Sequence, residues 1–149
     1  MDEPEFPSRE VDYRERPDLY RVARGERGVF HCEPYKGELL PLWAFRTPDV
    51  ARESAAAITA KFRAYLQAGD FPGADLARKY LQMGWTRARR YANHRGGRKY
   101  NPDTGEPLPA DEDPVKAAAA AVFKAAYDAA REDPEYVRQK AEHRRLHEG

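Results

Sequence analysis

The sequence predicts a single-domain, mainly α fold with a small N-terminal β-hairpin, an α+β arrangement of three to four helices. Three observations lead there. Apolar residues recur at helical spacing in four stretches, and three of these open on a Thr-Pro or Asp-Pro pair, at Thr47, Asp113 and Asp133. The strand-like apolar runs are confined to the N-terminal side, around Gly25 and Gly28. A chain of 149 residues and 17.1 kDa suits one domain with a real core.

Residues 1–18 read as an acidic arm, rich in acid, Pro and Arg, with Phe6 and Tyr13 as anchors. The single globular domain is expected over residues 19–146. Leu19 to Glu33 (LYRVARGERGVFHCE) places two apolar runs about a glycine-flanked reversal, the pattern of a β-hairpin. Tyr35 onward (YKGELLPLWAF) is interrupted by Gly37 and Pro41, so it reads as an edge strand or extended buried segment with Trp43 and Phe45 in the core.

Thr47 is positioned as an N-cap and Pro48 as the first residue of a helix to Gln67, which Gly69 ends in the left-handed conformation. Asp70-Phe71-Pro72-Gly73 turns the chain into a helix over Ala74 to Arg95, antiparallel to the first. Gly96 and Gly97 stop that helix. Residues 101–113 form a Pro- and Asp-rich internal linker, and helices follow over Pro114 to Arg131 and Pro134 to Leu146.

Charge singles out one of these elements. From Phe71 to Tyr100 the bases Arg78, Lys79, Arg87, Arg89, Arg90, Arg95, Arg98 and Lys99 oppose the single acid Asp75, a net +7 in a chain of formal charge +1. Ordinary exposed faces intersperse both signs. As a helix, the stretch puts Ala77, Leu81, Gly84, Ala88, Tyr91 and Ala92 on one side, to dock on the Pro48 to Gln67 helix. Arg78, Gln82, Thr86, Arg89, Arg90 and Asn93 fall on the other. Trp85, Tyr91 and Tyr100 are aromatic surfaces for stacking on unpaired bases, with Trp85 and Tyr91 close to the docking side.

Several chemistries lack their residues. Cys32 is the lone cysteine, so neither a disulfide framework nor a cysteine zinc site is available, and a reducing, cytoplasmic setting suits the chain. His31-Cys32-Glu33 splits across the two faces of a strand, and His94, His143 and His147 lack ligand spacing, so no metal and no cofactor is expected. No run is long enough for a membrane span. An enzyme acting on a phosphorylated ligand would centre on Lys36, Arg90, Asn93 and His94, near Tyr91.

The runs YRVARGERGVFHCEPYKGELLPLWAFRTP (Tyr20 to Pro48) and DFPGADLARKYLQMGWTRARRYANHRGGRKY (Asp70 to Tyr100) resemble an uncharacterised domain-of-unknown-function family of bacteria and their phages. The resemblance implies one self-standing unit from Tyr20 to about His143 and brings no activity or site residues. The function expected from the residues is non-catalytic binding of DNA or RNA through phosphate contacts from Arg78, Lys79, Arg89, Arg90, Arg95, Arg98 and Lys99. The alternatives are the small enzyme and an adaptor or homo-oligomer joining acidic and basic surfaces.

Overall fold

The computed structural model describes residues 4–93, 100–107 and 113–149. Among these, five α-helices make a mainly helical, compact domain: α1 (Tyr35–Leu39), α2 (Pro48–Gln67), α3 (Phe71–Asn93), α4 (Pro114–Glu132) and α5 (Pro134–His147). The short 3-10 turns Pro17–Leu19 and Leu40–Leu42 complete the regular structure. No membrane-crossing helix occurs among the described residues.

The three caps and the Gly69 stop act where their chemistry predicts, while the expected Gly96-Gly97 stop lies outside the described residues. Thr47 accepts the Val50 N–H, Asp113 those of Val115 and Lys116, and Asp133 those of Glu135 and Tyr136. Gly69 stands at φ 69°, and Asp70 N–H bonds back to Tyr65 O (2.8 Å) while Gly69 N–H reaches Leu66 O (3.1 Å), a Schellman ending for α2. α3 starts at Phe71, earlier than Ala74, because Pro72 and Gly73 are drawn into its first turn. Asp70 accepts the Gly73 N–H there (3.4 Å).

Two expectations fail. The hairpin over Leu19 to Glu33 does not form, and described strand pairing is limited to the isolated bridges Asp12 to Glu33 and Tyr100 to Pro107. Gly25 and Gly28 do reverse the chain with positive φ, but the backbone after them coils, with His31 and Cys32 N–H both bonding Gly28 O. Side chains of α3 satisfy carbonyls that a strand partner would have taken: Tyr80 Oη donates to Val29 O and Lys79 Nζ to Arg27 O, each at 2.7 Å. The second correction is α1 itself, a helix within YKGELLPLWAF instead of a strand. Its Tyr35 and Leu39, four apart, share a buried face, so the helix count is five instead of three to four.

α3 runs through the middle of the domain, packed on α2 and most extensively on α4, with α5 and α1 closing its remaining sides. Phe71 through Ala77 are buried without a break, as a helix surrounded by neighbours requires. The Gly84 stripe faces α4, not α2 alone: a Cβ on Gly84 would stand 2.4 Å from Phe123. Tyr91, placed on the docking face by spacing, is instead 38% exposed. The described residues before Leu19 lie against this body. Tyr13 is buried, Phe6 meets Tyr13 and Tyr20 edge-on, and Arg14 forks onto Glu38 and reaches Asp70 (3.0 Å). That fork holds the Glu38 carboxyl down at about 2.

Gly84→Ala tests the closeness of α3 and α4. An exposed helical glycine would gain about 1 kcal/mol from this change, whereas overpacking against Phe123 should cost about 1–3 kcal/mol. Urea unfolding reads the sign, and adding Phe123→Leu should recover part of the loss.

Candidate functional site

The site begins with the one acid of the +7 segment. Asp75 is fully buried, and its carboxylate accepts from Tyr20 Oη (2.5 Å), Tyr136 Oη (2.6 Å) and Arg78 Nη2 (2.9 Å) and Nε (3.2 Å). Burial pushes the Asp75 carboxyl up, but the Arg78 charge and the two phenol donors outweigh it and leave it below the ordinary carboxylate range. The same pairing keeps Arg78 charged despite its burial. Arg78 also donates to Gln82 (3.0 Å), so the guanidinium is fixed from two sides.

Outward from Arg78 opens a cleft of about 630 Å³. Its walls are Val22–Gly25, Arg78 and Gln82 of α3, Tyr127 and Arg131 of α4, and Tyr136, Val137, Lys140, Ala141 and Arg144 of α5. Five of these are cations (Arg24, Arg78, Arg131, Lys140 and Arg144), and no carboxylate is among the described residues that line it. Asp75 lies behind Arg78, and Asp128 lies beside Arg131 on α4 (3.2 Å). Lys140 shows the crowding of like charge: burial, then Arg144 and Arg78, hold its amine below the ordinary lysine value.

Past Gly25 the chain leads to Glu26, which lines a second groove of about 500 Å³ with Trp43, Phe45, Thr86, Arg87, Arg90 and Tyr91. Glu26 and Arg87 form an ion pair at 2.8 Å. Arg87 lies over the Trp43 ring at 5.9 Å, and the Phe45 and Tyr91 rings are 6.1 Å apart.

The residues singled out by sequence scatter over these features. Arg78 enters the cationic cleft and Arg90 the aromatic groove. Arg89 lies half-buried on the same stretch of α3. Lys79 is corrected: it is fully buried, with its amine brought down to about 8 chiefly by burial, and it offers no surface contact. Arg95, Arg98, Lys99 and His94 lie outside the described residues. Trp85 stacks on Tyr127 and belongs to the α3–α4 contact, while Tyr100 is exposed. Lys36 and Asn93 take no part in the groove that Arg90 lines. Cys32 is buried, its thiol pushed up to about 12 by burial, the reverse of a nucleophile's environment. Among the described residues, no group of His, Cys, Asp and Glu is placed to hold a metal.

Arg131, Lys140 and Arg144 were missed because the stretch after Asn101 is acidic in sum. The available signal was local: Val137, Lys140, Ala141 and Arg144 follow i, i+3, i+4, i+7 spacing and share one face of α5.

α5 is held over the cleft by its inner side. His143 Nε2–H donates to Tyr20 O (2.8 Å), and Glu148 accepts the Val22 N–H (3.1 Å). Tyr136→Phe removes one donor from the buried Asp75 carboxylate, and about 1–3 kcal/mol of stability should go with it in chemical denaturation. A second outcome concerns pH. Burial holds the His143 imidazole below its ordinary value, so its folded pKa lies under its unfolded one. Its stabilising contribution is complete above about 6.5 and is lost as pH falls through that value toward the folded pKa. Denaturation midpoints between about pH 7.5 and 5 should therefore fall, and His143→Gln, which keeps a donor for Tyr20 O, should flatten the decline.

No curated protein and no solved structure matches this chain. A family model described as a domain of unknown function, DUF4385, matches residues 3–146. That match spans nearly the whole sequence, and the chain belongs to the DUF4385 family.

Proposed function

We propose that this protein binds nucleic acid through phosphate contacts in the cleft between α3, α4 and α5. The observation that carries the reading is the composition of that cleft: Arg24, Arg78, Arg131, Lys140 and Arg144 converge with no carboxylate among the described lining residues. A folded domain ordinarily meets a buried or crowded cation with an acid, because like charges brought together raise the free energy of the native state. Asp75 meets Arg78 here. Lys140 and Arg144 face each other and Arg78, and their like charge adds to burial in holding the Lys140 amine below its ordinary value. A polyanion supplies the missing charge, and guanidinium forks match phosphate oxygens in pairs.

The cleft moves the proposed contacts from α3 alone to a surface that three helices and the Val22–Gly25 segment share. Arg89 and Arg90 extend it along α3, and Arg95, Arg98 and Lys99 follow them in the sequence. Lys79 has no place in it.

Fluorescence anisotropy with a labelled single strand between about 50 and 200 mM salt tests the reading. Four to five phosphate contacts on a single strand correspond to a log–log slope of about −3. Arg131→Ala, Lys140→Ala and Arg144→Ala together should make that slope shallower by about 2 and weaken binding at low salt. Affinity no better than millimolar at low salt, or a triple variant that binds like the wild type, would overturn the proposal.

A further inference from the structure

The cationic cleft and the aromatic groove adjoin. Gly25 lines the first and Glu26, the next residue, lines the second. On α3 the cleft uses Arg78 and Gln82, and one turn further the groove begins at Thr86 and continues to Arg90 and Tyr91. Arg78 to Arg90 spans about 18 Å at the α-helical rise, a length of a few nucleotides. Among the described residues that line the groove, Glu26 is the one carboxylate, and Arg87 neutralises it at 2.8 Å.

We infer that the groove formed by Trp43, Phe45 and Tyr91 receives an unpaired base of a strand whose phosphates lie in the adjoining cationic cleft, so that the ligand is single-stranded nucleic acid. This rests on the phosphate-binding reading above and adds the strand type to it. In a duplex the base faces are covered by their neighbours in the stack, and a recessed aromatic groove has nothing to receive. In a single strand every base carries a free π-face, and aromatic side chains beside a basic track are the usual means of holding it. The rings that line the groove are Phe45 beside Tyr91 at 6.1 Å and Trp43, one face of which the Arg87 guanidinium covers at 5.9 Å. Its volume of about 500 Å³ falls within the range of small-ligand sites. Tyr91 is 38% exposed at the rim and accessible to an arriving base. A mononucleotide would leave most of the five cleft cations unanswered, so a strand is the occupant that uses both features.

The chain has two tryptophans, and Trp85 packs on Tyr127 away from the groove, so Trp85→Phe leaves Trp43 as a reporter. Three ligands of equal length, about twelve nucleotides, are compared in that background: oligothymidylate, an abasic strand with the same phosphates, and a duplex. Oligothymidylate should quench Trp43 and bind about tenfold more tightly than the abasic strand. Tyr91→Ala, at an exposed position where folding is retained, should remove that tenfold advantage and leave abasic affinity unchanged. Equal, salt-sensitive binding of thymidylate and abasic strands without quenching would overturn the base-stacking inference while sparing the phosphate reading. Tighter binding of the duplex would do the same. Failure of all three ligands to bind would overturn both.

Discussion

The Asp75 carboxylate has no exposed surface, and three segments far apart in sequence aim donors at it: Tyr20 from the coil before α1, Tyr136 from the start of α5, and Arg78 from its own helix. A carboxylate so placed tolerates the interior only while those donors remain, since removing one partner of a buried ion pair costs about 3–5 kcal/mol. The interaction is therefore weak evidence of extra stability and strong evidence of constraint. With Asp75 on α3, the Tyr20 segment and α5 have one arrangement that satisfies it. His143 on Tyr20 O and Glu148 on Val22 N–H then hold the same two segments from the other end of α5.

Fixing those segments also builds the cleft. Val22 to Gly25 follow directly on Tyr20, Arg78 is held by Asp75 itself, and Lys140 and Arg144 sit one and two turns beyond Tyr136 on α5. The polar node inside and the cationic surface outside are thus two sides of one assembly. Arg78 belongs to both: Asp75 fixes its guanidinium while part of it faces the cleft. Because its charge is partly balanced by Asp75, the uncompensated field of the cleft comes chiefly from Arg24, Lys140 and Arg144. Asp128 takes a share of Arg131 at 3.2 Å, and a solvent-screened pair of that kind contributes little to stability.

The helices were legible because their signals are local. Thr47, Asp113 and Asp133 declare the starts of α2, α4 and α5 through a side-chain oxygen that reaches a backbone N–H three residues or fewer away, and Gly69 declares a stop through its φ. The coil from Leu19 to Glu33 was not legible, because its carbonyls are satisfied by Lys79 and Tyr80, roughly fifty residues on. For the same reason Lys79 looked like surface: nothing within a helical turn says that a backbone carbonyl waits for its amine. The cleft was half legible. Arg78 stood out in a run of bases, while Lys140 and Arg144 were hidden by the acids around them, since net charge over a stretch averages out the faces of a helix. Asp75 itself carried a readable signal, being the lone acid from Phe71 to Tyr100 and set among Phe71, Leu76 and Ala77, apolar neighbours that mark it for the interior.

The cations of the cleft come from four separate parts of the chain, so the site exists only when the chain is folded. In the unfolded state Arg24, Arg78, Arg131 and Arg144 are spread along the sequence, and their repulsion is dispersed into solvent. Folding brings them together at a cost that the unliganded protein must carry. An anion that seats in the cleft binds the folded state and not the unfolded one, so binding and folding reinforce each other. The internal ion pair and the outward cations then divide the work by depth. Asp75, shielded from water, secures the geometry at any salt concentration, whereas the outer charges act through solvent and weaken as salt screens them.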